Sequence, residues 1–185
     1  MIVLASASPR RQELFKTAGI QFVVKPANIP EIRQPNEKPR DFAERMAKEK
    51  AHALWDRDRN QFVLGADTIV VVDDQVLGKP KDEEDATRML GLLSRREHEV
   101  ITGVCLISRD FEDVRSEITT VHFLEMKTGE IRDYIASGEP MDKAGAYAIQ
   151  GKASRWISKI EGDYSNVVGL PMDLVLRMLR EHKLL

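Results

Sequence analysis

The stretch Met1-Ile2-Val3-Leu4-Ala5-Ser6-Ala7-Ser8-Pro9-Arg10-Arg11 decides how the rest of the chain is read. Ile2 to Ala5 is a short, continuously apolar run, as a buried strand requires. It stops at two serines, a proline and two arginines. Pro9 suits the first turn of a helix, where its missing N–H costs nothing, and Ser8 is placed to cap it. Leu14, Phe15 and Ala18 give that helix an inward face, and Gly19 ends it. A strand feeding directly into a helix is the opening unit of an α/β fold.

The same alternation of types continues outward. Ile20 to Lys25 reads as a strand, and residues 26–39, with prolines at 26, 30, 35 and 39, as a loop. Arg40 to Trp55 forms a helix whose stripe is Ala43, Met46, Ala47, Ala51 and Leu54. Phe62 to Gly65 and Ile69 to Val72 are strand-like runs flanking Ala66-Asp67-Thr68, and Asp73-Asp74-Gln75 is a turn before Val76-Leu77 returns. Lys81 to Asp85 opens a helix with acids where the dipole favours them. His98 to Ile107 and Ser116 to Leu124 read as paired strands. Thr128 to Ser137 reads as a helix capped by Thr128, followed by a glycine-rich loop, a strand pair over Trp156 to Val168, and a last helix from Pro171 to His182. The class is α/β with a mixed sheet and flanking helices. One domain over 1–185 without a separate linker is the expectation.

Composition narrows the function classes. With 28 Lys+Arg against 30 Asp+Glu, the formal charge is −2, which excludes a polyanion-coating protein but not a small anionic ligand. Hydrophobic residues at 42% argue against disorder. The single cysteine, Cys105, lies in an apolar run and reads as a core residue, so no disulfide framework or multi-cysteine metal site is expected. No apolar stretch approaches the roughly 18–20 residues of a membrane span, and the N-terminus lacks the basic segment of a signal peptide. A soluble, cytoplasmic protein with no membrane contact is expected.

Phosphate loops, dinucleotide fingerprints, zinc-protease and nucleophile-elbow motifs are all missing, and the four histidines share no metal-ligand spacing. Four features remain. Ser6 to Arg11 sits at a strand-to-helix junction, where free backbone N–H groups and the positive end of the dipole can receive an anion; it can equally be a capped helix with solvated arginines. Asp67, enclosed by apolar runs, is either a satisfied turn residue or a functional carboxylate, and no neighbour in sequence is a cation to pair with it. Lys79 is pinned between Gly78 and Pro80 as a ligand contact or within a plain turn. Lys50 interrupts the helical stripe, four residues after Met46 and four before Leu54; it either snorkels from the stripe's edge or aims a cation into a cleft. Clustered cations, a hydroxyl pair and an acid near strand ends are what a metal-bound polyphosphate would need.

These residues, taken in order, resemble the Maf family of nucleoside triphosphate pyrophosphatases. The matching segments are Leu4 to Arg11, Glu31, Lys48-Glu49-Lys50-Ala51, Gly65-Ala66-Asp67-Thr68 and Gly78-Lys79-Pro80. They continue through Tyr134 to Pro140, Asp142 to Tyr147, Ile149-Gln150-Gly151 and Asn166 to Pro171, so the likeness runs end to end. The resemblance implies a mixed α/β fold like that of the inosine triphosphate pyrophosphatases, with two lobes around a cleft. It implies hydrolysis of a nucleoside triphosphate to monophosphate and pyrophosphate with Mg²⁺ or Mn²⁺, and it implies a homodimer.

Carried over residue by residue, Asp67 is the expected proton acceptor, and Arg11, Thr68 and Gln150 are linked to base choice as in the dTTP/UTP group. Ser8, Arg10, Arg11, Lys50 and Lys79 are expected to hold phosphates, and Glu31 and Asp67 to ligate the metal, which favours oxygen donors. Two alternatives stand beside this. One is a pyrophosphatase for another nucleotide. The other is a non-catalytic nucleotide-binding regulator of septum formation, which would also use Arg10 and Arg11 but has no need of Asp67 and Glu31. Long nucleic acid is not expected, because the chain lacks aromatic residues interleaved with basic ones.

Overall fold

The computed structural model describes residues 1–55 and 61–185. In chain order the elements are β1 (Ile2–Leu4), α1 (Pro9–Thr17), β2 (Phe22–Val24), α2 (Pro39–Trp55), β3 (Phe62–Val72), β4 (Gln75–Leu77), α3 (Glu83–Leu93), β5 (Glu97–Ile107) and β6 (Glu112–Phe123). Then follow α4 (Thr128–Ala136), three short 3₁₀ turns over Glu139–Asp142, Ala144–Ala146 and Lys152–Trp156, β7 (Ile157–Glu161), α5 (Tyr164–Val168) and α6 (Met172–Glu181). The sheet is mixed, with order β2-β1-β3-β5-β6-β7 and β4 beside β3. β1 runs parallel to both β2 and β3, whereas β4 is antiparallel to β3 and β7 to β6.

The backbone groups into two compact units, and β3, β5 and β6 pass from one to the other. The first comprises Met1–Thr68, Thr102–Glu117 and Gly169–Leu185. β1 and the parts of β3 and β5 in this unit are buried on both faces, which is why Ile2 to Ala5 shows no polar alternation. Ile2, Leu4, Leu64, Ala66, Val104 and Leu106 face Phe15 of α1 and Leu174, Val175 and Met178 of α6. Their neighbours in register, Val3, Ala5, Val63, Cys105 and Ile107, face Ala47, Ala51 and Leu54 of α2. Cys105 is thus the core residue expected, its thiol pushed up to about 12 by burial.

Helix α2 lies directly on the sheet backbone. A β-carbon on Gly65 would strike the Ala47 carbonyl oxygen and lie 2.7 Å from Ala51 N; one on Gly103 would strike the Ala43 carbonyl. No side chain larger than hydrogen fits at either point.

The second unit comprises Ile69–Ile101 and Ile118–Val168. Val70, Val72, Val100, Val121 and Phe123 of its strands pack against Met89, Leu90 and Leu93 of α3 and Ile131, Tyr134 and Ile135 of α4.

Four local expectations are corrected. Ala66-Asp67-Thr68 makes no break: β3 is continuous from Phe62 to Val72, so Asp67 is a strand residue and not a turn residue. Trp156 to Val168 is not a strand pair, because after β7 the Asp163 carboxylate accepts Ser165 N–H at 2.7 Å and its hydroxyl at 2.6 Å, starting α5. Helix α4 begins after Lys127, not at a Thr128 cap, with Glu130 accepting the Lys127 N–H at 2.9 Å. After α1, Ala18 is exposed; Phe15 and the partly buried Leu14 face the core as expected, and Arg11, one turn before Phe15, is buried with them.

Candidate active site

The close seating of α2 on β3 brings Lys50 to Asp67. The Lys50 ammonium lies 2.6 Å from Asp67 Oδ1 and also 2.6 Å from Glu31 Oε1. Lys50 and Asp67 are buried, whereas Glu31, on the proline-rich loop, is exposed. This settles the reading of Lys50: it is a cation built into the interior, with two carboxylates as partners. Burial pushes the Asp67 carboxyl up from the ordinary aspartate value, Lys50 pulls it back in part, and Glu31 adds to the rise.

Arg11 anchors the other side of Asp67. Its Nε donates to the Gly169 carbonyl at 2.7 Å. Its Nη1 donates to Ser6 Oγ at 3.2 Å and the Ala66 carbonyl at 2.9 Å, and its Nη2 donates to Thr68 Oγ1 at 2.9 Å. Four of the guanidinium's N–H groups are thereby spent on protein oxygens, two of them on the residues flanking Asp67. Burial pushes Arg11 below its usual value and the nearby Asp67 charge opposes that shift. The Thr68 hydroxyl is itself filled: it accepts from Arg11, pairs with Thr102 Oγ1 at 2.9 Å and donates to the Gly169 carbonyl at 3.1 Å.

The loop that carries Glu31 is held by Arg45 of α2. Arg45 Nε and Nη2 grip both oxygens of Glu37, at 2.6 and 2.9 Å, and Nη2 also donates to the Ile32 carbonyl at 2.9 Å. Arg33 closes the loop on itself by donating to the Glu37 carbonyl at 2.9 Å through Nε. The Glu37 carboxyl sits below its usual range because Arg45 hydrogen-bonds it.

At the strand-to-helix junction Ser8 is the N-cap of α1, as expected, and its Oγ accepts the Arg11 N–H at 3.5 Å. Arg10 and Ser8 are half-buried there. Ser8, Arg10, Arg11, Glu31, Lys50, Asp67 and Thr68 all belong to the first unit. Lys79 and Gln150 belong to the second, where both are exposed. His98 is buried against Tyr147, Nε2 to hydroxyl 2.6 Å, and burial pushes it down to about 3. His52, His122 and His182 pair with Glu112, Glu161 and Asp113.

Glu31 and Asp67 meet at the Lys50 ammonium, and their hard carboxylate oxygens are of the kind that could hold Mg²⁺ or Mn²⁺, which takes one or two carboxylates and fills its remaining positions with water and substrate phosphate. Among the described residues no group of three or more His, Cys, Asp or Glu is arranged to hold a metal.

Sequence reasoning missed Thr102, Ser6 as an Arg11 acceptor, and Arg45. Thr102 reads as one more residue of a β-branched strand, and its role depends on β5 lying beside β3. The Arg45–Glu37 spacing crosses from loop to helix, and no periodicity marks it.

A profile of the Maf-like protein family matches residues 1–182. A relative from Koribacter versatilis, named dTTP/UTP pyrophosphatase, is 55% identical over 179 residues, covering 97% of this chain and 93% of that protein. Relatives of the same name from Geobacter sp. (strain M21) and Geobacillus sp. (strain WCH70) are 52% and 45% identical over 181 and 179 residues, covering 97% of this chain and 94% and 96% of theirs. Among solved structures, the Staphylococcus aureus Ham1 protein matches with a TM-score of 0.54 at 16% identity over 98% of both chains, a likeness of fold alone. No helix among the described residues is long and apolar enough to cross a membrane. The match of profile and relatives over nearly the whole length makes this chain a member of the Maf family.

Proposed function

We propose that this protein is a nucleoside triphosphate pyrophosphatase that hydrolyses dTTP and UTP to the monophosphate and pyrophosphate. The names of its relatives support the substrates, and the buried Lys50–Asp67 pair with Glu31 carries the chemistry. In the reaction water attacks the α-phosphorus, the bond to the bridging oxygen of the β-phosphate breaks, and pyrophosphate leaves with the electron pair. Asp67 takes the proton from the attacking water. Its raised affinity for a proton, caused by burial, makes it a better base than an exposed aspartate.

Ser8, Arg10 and the N-terminus of α1 receive phosphate oxygens, and Lys50 and Lys79 add positive charge against the charge that grows on the phosphoryl group. Arg11 retains one N–H for that task and otherwise holds Ala66 and Thr68 on either side of the base. Glu31 and Asp67 would hold Mg²⁺ or Mn²⁺, which neutralises phosphate charge when bound. Gln150 offers both a donor and an acceptor and reads the O4 and N3–H edge shared by thymine and uracil. Thr68, its hydroxyl already filled, contributes shape through its methyl group. The reading extends to a cytoplasmic homodimer that clears nucleotides from the pool.

The test is a panel of nucleoside triphosphates incubated with the pure protein and Mg²⁺ or Mn²⁺, with products separated by chromatography. Monophosphate and pyrophosphate from dTTP and UTP are expected. Diphosphate and phosphate, or no turnover, would overturn the reading; nucleotide binding without turnover would favour a regulator.

A further inference from the structure

The segment Gly138-Glu139-Pro140 has no part in the chemistry above, yet its carboxylate is built into the turn that carries Gln150. That turn runs from Ala148 to Gly151 and is closed by Gly151 N–H donating to the Ala148 carbonyl at 3.1 Å. Ile149 is buried at its centre and Gln150 is exposed. Both sides of the turn are gripped from outside. Ala148 N–H donates to the Tyr134 hydroxyl at 3.3 Å, and Lys152 N–H is shared between Glu139 Oε1 and Oε2 at 3.2 and 3.1 Å. The Tyr134 hydroxyl is pushed up by burial first and by the Glu139 carboxylate second. Glu139 therefore fixes the far end of the turn, and Tyr134 the near end.

Gly151 gives a second, independent sign. Its φ of −102° is open to any residue, so no backbone strain calls for glycine. A β-carbon there would instead collide with the Glu139 carboxylate, with Oε2 2.5 Å away. The missing side chain is the space in which the carboxylate sits.

We propose that Glu139 is a positioning residue for base selection, holding the Ala148–Gly151 turn so that the Gln150 amide meets the pyrimidine edge in one orientation. This rests on the base-reading role of Gln150 given above. A relaxed turn lets the amide rotate and present donor and acceptor in either order, which suits the reversed pattern of cytosine as well as that of thymine.

The experiment compares kcat/KM for dTTP and dCTP in Q150A, E139A, G151A, E139A/Q150A and E139A/G151A. Q150A is expected to lower the dTTP-to-dCTP ratio. E139A and G151A should each lower it by roughly five- to tenfold, with a smaller effect on the rate with the best substrate. The E139A/Q150A double variant should select no worse than Q150A alone, because Glu139 acts only through Gln150. In E139A/G151A the new methyl has room, so adding G151A to E139A should cost nothing further. Hydrogen exchange of residues 148–152 should speed up in E139A, with the rest of the chain unchanged.

An unchanged ratio in Q150A overturns the base-reading role and this inference with it. A lowered ratio in Q150A with an unchanged ratio in E139A overturns the inference alone. Equal losses on both substrates in E139A mean a structural role and also overturn it.

Discussion

The ammonium of Lys50 lies 2.6 Å from Asp67 Oδ1, and the two side chains are only 10% and 8% exposed. A buried carboxylate without a partner is costly, and so is a buried ammonium, so each explains the presence of the other. The pair also tunes the carboxylate: burial raises the proton affinity of Asp67, and Lys50 limits the rise.

Asp67→Asn removes the proposed base while keeping shape. Turnover is expected to fall by about 10²–10⁴-fold, with the far-ultraviolet circular dichroism spectrum unchanged. Near-normal activity in this variant would remove Asp67 from its role.

The pH dependence follows from the same group. Because its folded-state value is raised, activity should rise through an acidic limb lying above the ordinary aspartate value of about 3.9. Lys50→Met takes away the charge that opposes the rise, so the limb should move to higher pH. A limb that stays put, measured as kcat/KM against pH, would show that the two groups are not coupled.

Lys50→Met should also cost about 3–5 kcal/mol of stability in urea unfolding near neutral pH, as expected when one partner of a buried pair is removed. The sign with pH is fixed by linkage. A carboxyl whose folded value is raised binds protons more tightly in the folded state, so its stabilising share is present at low pH and is lost as pH rises above the unfolded value. The deficit of the variant should therefore grow from acid towards neutral pH.

Gly65→Ala tests the seat of α2. The added methyl meets the Ala47 carbonyl, and α2 must lift from β3. A stability loss of about 1–3 kcal/mol is expected. Because Lys50 lies on the same turn of helix as Ala47 and Ala51, kcat should drop by an order of magnitude or so even where the protein remains folded.

Arg45→Ala releases the Glu31 loop without touching Lys50 or Asp67. Hydrogen exchange within residues 26–38 should accelerate, while β3 stays protected. Arg45→Lys keeps the charge but not the two-pronged grip on Glu37, and should recover only part of the protection.

Much of this was legible in the residues. The apolar run Ile2 to Ala5, the Ser8-Pro9 helix start and the stripe of α2 each carry their own local cause, and the structure has them where the sequence reading puts them. Lys50 announced itself by interrupting that stripe, although spacing alone left two readings open. What stayed hidden depends on contacts between segments far apart in the chain. Asp67 looked like a possible turn residue because polar Asp and Thr interrupt an apolar run. Its partner Lys50 on α2, and Glu31 on the proline-rich loop sharing the same ammonium, come to it only once the chain has folded. Helix α5 was hidden because Asn166-Val167-Val168 carries strand-forming valines, which the local cap at Asp163 overrides. The acceptors that occupy Arg11 lie mostly at residues 66, 68 and 169, far from it in sequence.

The bonds of Arg11 have a consequence for the order in which the protein comes into being. Its acceptors include residue 6 beside it, residues 66 and 68 in β3, and residue 169 just ahead of the last helix. During synthesis Arg11 is made long before residue 169, whose carbonyl it needs. Until then the guanidinium lacks its Nε partner, and Thr68 lacks the acceptor of its own hydroxyl. A nascent chain therefore carries Arg11, Glu31, Lys50 and Asp67 well before it can fix the arginine that holds both neighbours of Asp67. The surroundings of that carboxylate are completed from a segment a hundred residues further on.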